Sequence, residues 1–187
     1  MKPSSKSSDL NPHQDSPIVD ERNYYAVFVW VALCDINEKN GALQVLPKSH
    51  LWGNFQRSLN VKWPFEKFTQ LLKDEMKPIY LNKGDIILFD SALIHSSLPN
   101  LSDKPRIAFN TAILPKNHQQ VHYYKDKDTP KGKVEQYYIT QEFYRNHNIM
   151  EKPKSPFYMK EMQDWIFPMI SKKDLKHLIK LSKTDNV

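Results

Sequence analysis

Cysteine is almost missing from this 187-residue chain. The single one, Cys34, excludes an internal disulfide framework. Glycine is scarce as well, four residues against thirteen prolines, so the loops are expected to be stiff. No apolar run approaches the roughly 18 residues that a membrane span needs, and no membrane is expected as a partner. The opening MKPSSKSSDL lacks the apolar stretch of a signal peptide, and the expected compartment is the cytoplasm. Basic residues are not clustered. The net charge of +6 is spread along the chain among acids, with no dense basic patch interleaved with aromatics before residue 120. Nucleic acid is therefore not expected, whereas a small anionic substrate suits the charge.

What the chain does contain is enough apolar material for one core: 40% hydrophobic and 12% aromatic residues. Residues 1 to 22 are polar and read as loop or short extended segment. Tyr24 to Asp35, YYAVFVWVALCD, is β-branched and aromatic throughout, which predicts a strand buried on both faces. After the turn INEKNG, the stretch ALQVLP predicts a second strand, paired with the first as a hairpin. Pro64 to Met76 places Phe65, Phe68, Leu71 and Leu72 at helical spacing. KPIYL, GDIILFD and RIAFNTAIL then resume the strands, and VEQYYIT reads as one more. The end has Leu175, Leu178, Ile179 and Leu181 at helical spacing, with Ser171 placed to cap it. Short strands with an inserted helix predict an antiparallel sandwich or jelly roll.

Three features carry chemistry. In NPHQDSP, Pro12 and Pro17 bias their neighbours toward extended backbone. His13 and Asp15 would then point to the same side, as residues two apart do in a strand. His95, following the strand in GDIILFDSALIHSS, could bring a second imidazole. Two histidines and a carboxylate converging make the facial triad of non-haem Fe(II) oxygenases. Taken singly, each has a plainer reading: an Asx turn at Asp15, a histidine capping a turn, a histidine in the core. Arg106 lies eleven residues after His95 and opens an apolar strand. It either snorkels to solvent or grips a carboxylate as a bidentate fork, the carboxylate being that of 2-oxoglutarate.

Together, HQDSP, then W-x-A-L-x-D with NGAL-x-V-x-P-x-SH, then GD-x-x-x-F-x-x-x-x-xH-x-S-x-x-N and the arginine resemble the phytanoyl-CoA dioxygenase family. The resemblance runs from about Lys2 to Tyr124 and more loosely to Phe143. It implies an Fe(II)- and 2-oxoglutarate-dependent oxygenase that uses dioxygen, on a mainly-β, double-stranded β-helix (jelly roll, cupin-like) with flanking helices. It implies His13, Asp15 and His95 as iron ligands. Arg106 and Ser97 would hold the far carboxylate of 2-oxoglutarate, and Trp30 either lines that pocket or is a plain core residue. Asn40 and Gly41 match a structural turn, and His50 matches a loop position on the substrate side. His118, His122, His147 and His177 match no role.

The single domain, 1–187, is expected to hold its jelly-roll core in about 10–125. A C-terminal strand, lid and helical extension would occupy 126–187. Only twelve residues precede His13, where family members carry helices and first strands, so the chain is expected to be N-terminally truncated. Relatives that halogenate replace the carboxylate ligand by a small residue; Asp15 is present, which favours hydroxylation. Two other readings compete. One is a non-catalytic binding module on the same fold, the other a zinc hydrolase built on His and Asp, which leaves Arg106 without a role.

Overall fold

A computed structural model describes residues 1–53, 55–154, 160–165 and 167–184. The chain runs through β1 (Leu10–His13), β2 (Val27–Ala32), β3 (Leu43–Val45), α1 (Thr69–Lys73), β4 (Lys77–Ile79), β5 (Ile86–Asp90), β6 (His95–Ser97) and β7 (Ala108–Ile113). It continues through β8 (Gln120–Tyr124), β9 (Lys133–Ile139), α2 (Gln141–Asn146), β10 (Lys160–Asp164) and α3 (Lys172–Ser182). One sheet has the order β1-β6-β3-β4, a second β5-β2-β7, a third β10-β9-β8, and all the pairings are antiparallel.

Following β1 to β7 in order, the chain steps from the first sheet to the second and back, pausing only at β3 and β4, which pair within the first. That winding is the jelly roll, a double-stranded β-helix. It corrects the hairpin expected between β2 and β3. The turn after Asp35 does not fold β3 back onto β2. Asn40 closes it, accepting from the Asn37 amide (2.8 Å) and donating to the Asp35 carbonyl (2.6 Å). Gly41 at φ 87° then sends the chain across to the opposite sheet. Trp30 and Ala32 of β2 meet Leu43 of β3 through the sandwich, with Ile36 and Ala42 beside them.

The expectation that β2 is buried on both faces also needs correction. Trp30 and Ala32 are buried inward, but Val27, Val29 and Val31 are only half-buried. Their neighbours on that outer face, Ile86, Leu88, Phe109 and Ile113, are each more than half exposed. Among the described residues no helix or strand has its main packing there. The β-branched run therefore reflects strand propensity on both sides but burial on one.

A second core lies on the far side of the first sheet. Leu46, Phe55, Phe65, Leu72 and Ile94 meet Leu175 and Ile179 of α3. The predicted helix over 64–76 is shorter than its pattern: a 3-10 turn at Glu66–Phe68 leads into α1, and no side chain caps either. At α3 the cap is present. Ser171 accepts from the Asp174 amide, and Asp174 accepts from the Ser171 amide, a reciprocal box that satisfies two donors of the first turn. The aromatic stretch at residues 155–159, expected to form part of a lid, lies outside the described residues.

Candidate metal centre

β1 and β6 lie side by side with His13 opposite His95. Their imidazole rings are 4.3 Å apart, centroid to centroid. Asp15, just beyond β1, faces both: its carboxylate oxygens lie 3.7 Å from His13 Nε2 and 3.8 Å from His95 Nε2. One donor atom from each residue falls within 4.8 Å of the others. His95 is buried, and His13 and Asp15 are half-buried. The extended reading of NPHQDSP holds through His13.

The tautomers follow from the backbone. His13 Nδ1 sits 2.8 Å from the Asn11 carbonyl, and His95 Nδ1 sits 3.0 Å from the Leu93 carbonyl. A carbonyl only accepts, so each Nδ1 carries the proton. In the neutral imidazole each Nε2 then keeps its lone pair, toward Asp15, the form a metal requires. Burial, and then the nearby His95 ring, push His13 below its ordinary value, which also favours the neutral imidazole. Two imidazole nitrogens and one carboxylate on one side fit a divalent first-row metal with positions open to further ligands.

The supporting residues were not legible from the sequence. Between the two candidate ligands, Gln14 is buried and locked: it donates to the Ala92 carbonyl (2.6 Å) and accepts from Trp63 Nε1 (3.1 Å). Asp15 is held by its own backbone. Its amide donates to the Ser91 carbonyl (3.1 Å), and its carbonyl accepts from Arg57 Nε (2.9 Å). Arg57 in turn pairs with Glu21 at 2.7 Å in a buried ion pair, and Ser91 donates to the same Glu21 oxygen. An isolated arginine in the loop FQRSLN carries no pattern that marks it.

The other predicted residues gather around the opposite end of β6. Ser97 shares the side of His95, two positions along the strand. It is buried, and its Oγ accepts from Lys2 Nζ at 2.7 Å. Arg106 donates through Nη1 to the Gly41 carbonyl at 2.8 Å. Its guanidinium lies over the Trp30 ring, 5.1 Å from the centroid. Its Nε is buried without a partner among the described residues. Trp30 is thus both a core residue and the brace of Arg106. A cleft of about 790 Å³ opens beside His13 and Asp15, with Arg57, Asn60, Lys62 and Trp63 among its walls.

A family model described as Phytanoyl-CoA dioxygenase (PhyH) matches residues 2–108. Among curated proteins, the chain is 31% identical over 116 residues to the phytanoyl-CoA dioxygenase domain-containing protein 1 homolog of Dictyostelium discoideum, covering 57% of this chain and 41% of that protein. It is 31% identical over 112 residues to phytanoyl-CoA dioxygenase of Arabidopsis thaliana, covering 57% of this chain and 38% of that protein. The chain thus spans about two fifths of the length of these curated relatives. Among solved structures, the epimerase SnoN, in complex with Fe3+, alpha ketoglutarate and nogalamycin RO, aligns at 22% identity and a TM-score of 0.47, over 60% of this chain and 44% of that one.

Proposed function

The chain belongs to the phytanoyl-CoA dioxygenase family, and from that premise we propose that it acts as an Fe(II)- and 2-oxoglutarate-dependent dioxygenase. The reaction would hydroxylate an unactivated C–H bond of a small, anionic molecule and release succinate and carbon dioxide. One observation carries the proposal: both imidazoles commit Nδ1 to a backbone carbonyl and turn Nε2 toward one carboxylate.

In this reading His13, Asp15 and His95 hold the iron. Iron, when bound, supplies the coupling of dioxygen reduction to the oxidative decarboxylation of 2-oxoglutarate. Arg106 receives the distal carboxylate of that acid, with Ser97 as a second donor, and Trp30 fixes the guanidinium against swinging away. Asp15 contributes charge and geometry, and Arg57 keeps its backbone in place. Phe89, 5.2 Å from the His95 ring, excludes water from one side of the ligand. The substrate enters through the cleft bounded by Trp63 and Lys62, and the C-terminal portion, 126–187, borders the core of 10–125.

The test is anaerobic titration of the protein with Fe(II) and 2-oxoglutarate. A visible metal-to-ligand charge-transfer band is expected, with succinate formed on admission of air. Arg106→Ala should weaken 2-oxoglutarate binding while sparing metal binding. Absence of both the band and succinate from the wild type refutes the enzyme reading. A band without succinate would identify a binding module on the same fold.

A further inference from the structure

Lys2 and Arg106 face each other as a hydrogen-bonded antiparallel pair. The Lys2 amide donates to the Arg106 carbonyl at 2.8 Å and the Arg106 amide to the Lys2 carbonyl at 3.0 Å. Such a pair places its side chains on one side of the backbone, with Cβ atoms roughly 5 Å apart. Both side chains are cations. Lys2 is only 7% exposed, and neither forms an ion pair with a carboxylate among the described residues. Like charges set directly opposite repel, and buried charges are ordinarily neutralised by a partner. Burial and the Arg106 charge together, against a weaker pull from Asp9, hold the Lys2 ammonium below its usual range, and burial lowers Arg106 as well.

Both cations have donors left over. Lys2 Nζ gives one hydrogen to Ser97 Oγ and one to the Ser8 carbonyl, which leaves the third of its three. Arg106 gives one to Gly41, and its buried Nε gives none. The Lys2 stem lies so close over Gly41 that an added Cβ there would come within 2.7 Å of Lys2 Cδ. A side chain at position 41 would push the ammonium aside, so this glycine is needed for the approach as well as for its positive φ.

We propose that Lys2 is a second cation for the distal carboxylate of 2-oxoglutarate, acting with Arg106 and Ser97 so that the site selects dicarboxylic 2-oxo acids. The inference rests on the function proposed above. It gives two cations that lack a close ion pair a common counter-ion and gives Ser97 its orientation, since Lys2 donates to the oxygen and leaves the hydroxyl hydrogen for the carboxylate.

The experiment compares 2-oxoglutarate with 2-oxopentanoate, which has the same 2-oxo acid end and a methyl group in place of the distal carboxylate. Both are titrated into anaerobic Fe(II)-loaded protein, and the charge-transfer band gives each Kd. Lys2→Met should weaken 2-oxoglutarate binding about 10- to 100-fold, the worth of one charge-assisted hydrogen bond, and leave 2-oxopentanoate unchanged. Lys2→Gln, which keeps most of the stem and a donor toward Ser97, should give the same pattern and serves if the methionine variant does not fold. Equal weakening of both acids, or of neither, overturns the inference while the function proposed above stands. A wild type that binds neither acid overturns both.

Discussion

Acid should destabilise this protein in part through one residue remote from the metal centre. His122 of β8 is 4% exposed and packs against the Phe143 ring, centroids 5.2 Å apart. His147 stacks on that same ring at 4.7 Å. His122 Nε2 is buried and has no hydrogen-bond partner among the described residues. Burial first, and then the charge of His147, bring its pKa from 6.5 down to about 4. Because the folded value lies below the unfolded one, the folded state binds fewer protons between the two. Stability is therefore complete above pH 6.5 and falls as pH drops toward 4. Linkage over that interval gives a loss of about 2 kcal/mol by pH 5 and about 3 kcal/mol by pH 4 from this group alone. Urea unfolding of metal-free protein at pH 7, 5 and 4, followed by tryptophan fluorescence, measures it. His122→Leu should lose about 2 kcal/mol less than wild type between pH 7 and pH 5, because the remaining groups titrate in both proteins. Parallel stability profiles for the two proteins, or an NMR titration of His122 with its midpoint near 6.5, would refute the reasoning.

Three further outcomes test the site and its support. Fe(II) held at a hundred times its Kd should raise wild-type stability by about 2.7 kcal/mol, and His13→Ala or His95→Ala should abolish that gain in calorimetric melting. Phe65 is 1% exposed at the centre of the helix-side core, so Phe65→Ala should cost about 3–5 kcal/mol in urea unfolding. Arg57→Ala breaks the buried ion pair with Glu21 and frees the Asp15 carbonyl; it should cost about 3–5 kcal/mol and weaken Fe(II) binding, both read on the same protein.

One part of the metal centre, the two-residue spacing of His13 and Asp15, was legible because it is local. Prolines at 12 and 17 and the spacing of His13 and Asp15 act over a few residues, and the structure keeps both on one side. His95 and Arg106 stood out locally, one after a strand and a turn and the other opening an apolar strand, but each alone read as a plain residue, and only the family resemblance joined them to the site. What failed was non-local. Alternating β-branched residues in β2 say that a strand forms, but not whether another element covers its outer face. A turn closed by asparagines says that the chain reverses, but not that it crosses to another sheet. The helix over 64–76 had the right apolar spacing, yet without capping only its middle closes into an α-helix. Lys2 and Arg57 gave no signal at all. Each works through a partner far away in the chain, Ser97 for one and Glu21 and the Asp15 carbonyl for the other.

The two ends of the site are joined by a strand of three residues. β6 carries His95 at one end and Ser97 at the other, both on the same side. Ser96 between them turns the opposite way, its single hydroxyl hydrogen shared between Gln44 Oε1 (3.2 Å) and Met76 Sδ (3.3 Å) on the helix-side core. Residues two apart in a strand are separated by about 6.6 Å. A five-carbon diacid can bridge a gap of that order, with its 2-oxo acid end toward His95 and its far carboxylate toward Ser97. On the proposed reading, β6 therefore acts as a ruler for the acid, fixed by backbone pairing to β1 on one side and β3 on the other. In that reading the core holds Ser96, the ruler holds His95 and Ser97 at a set separation, and Lys2 and Arg106 would close its far end. Discrimination by length would then come from strand geometry and discrimination by charge from the two cations. A substitution at Ser96 that tilts β6 would disturb both, although its side chain points into the core and away from the site.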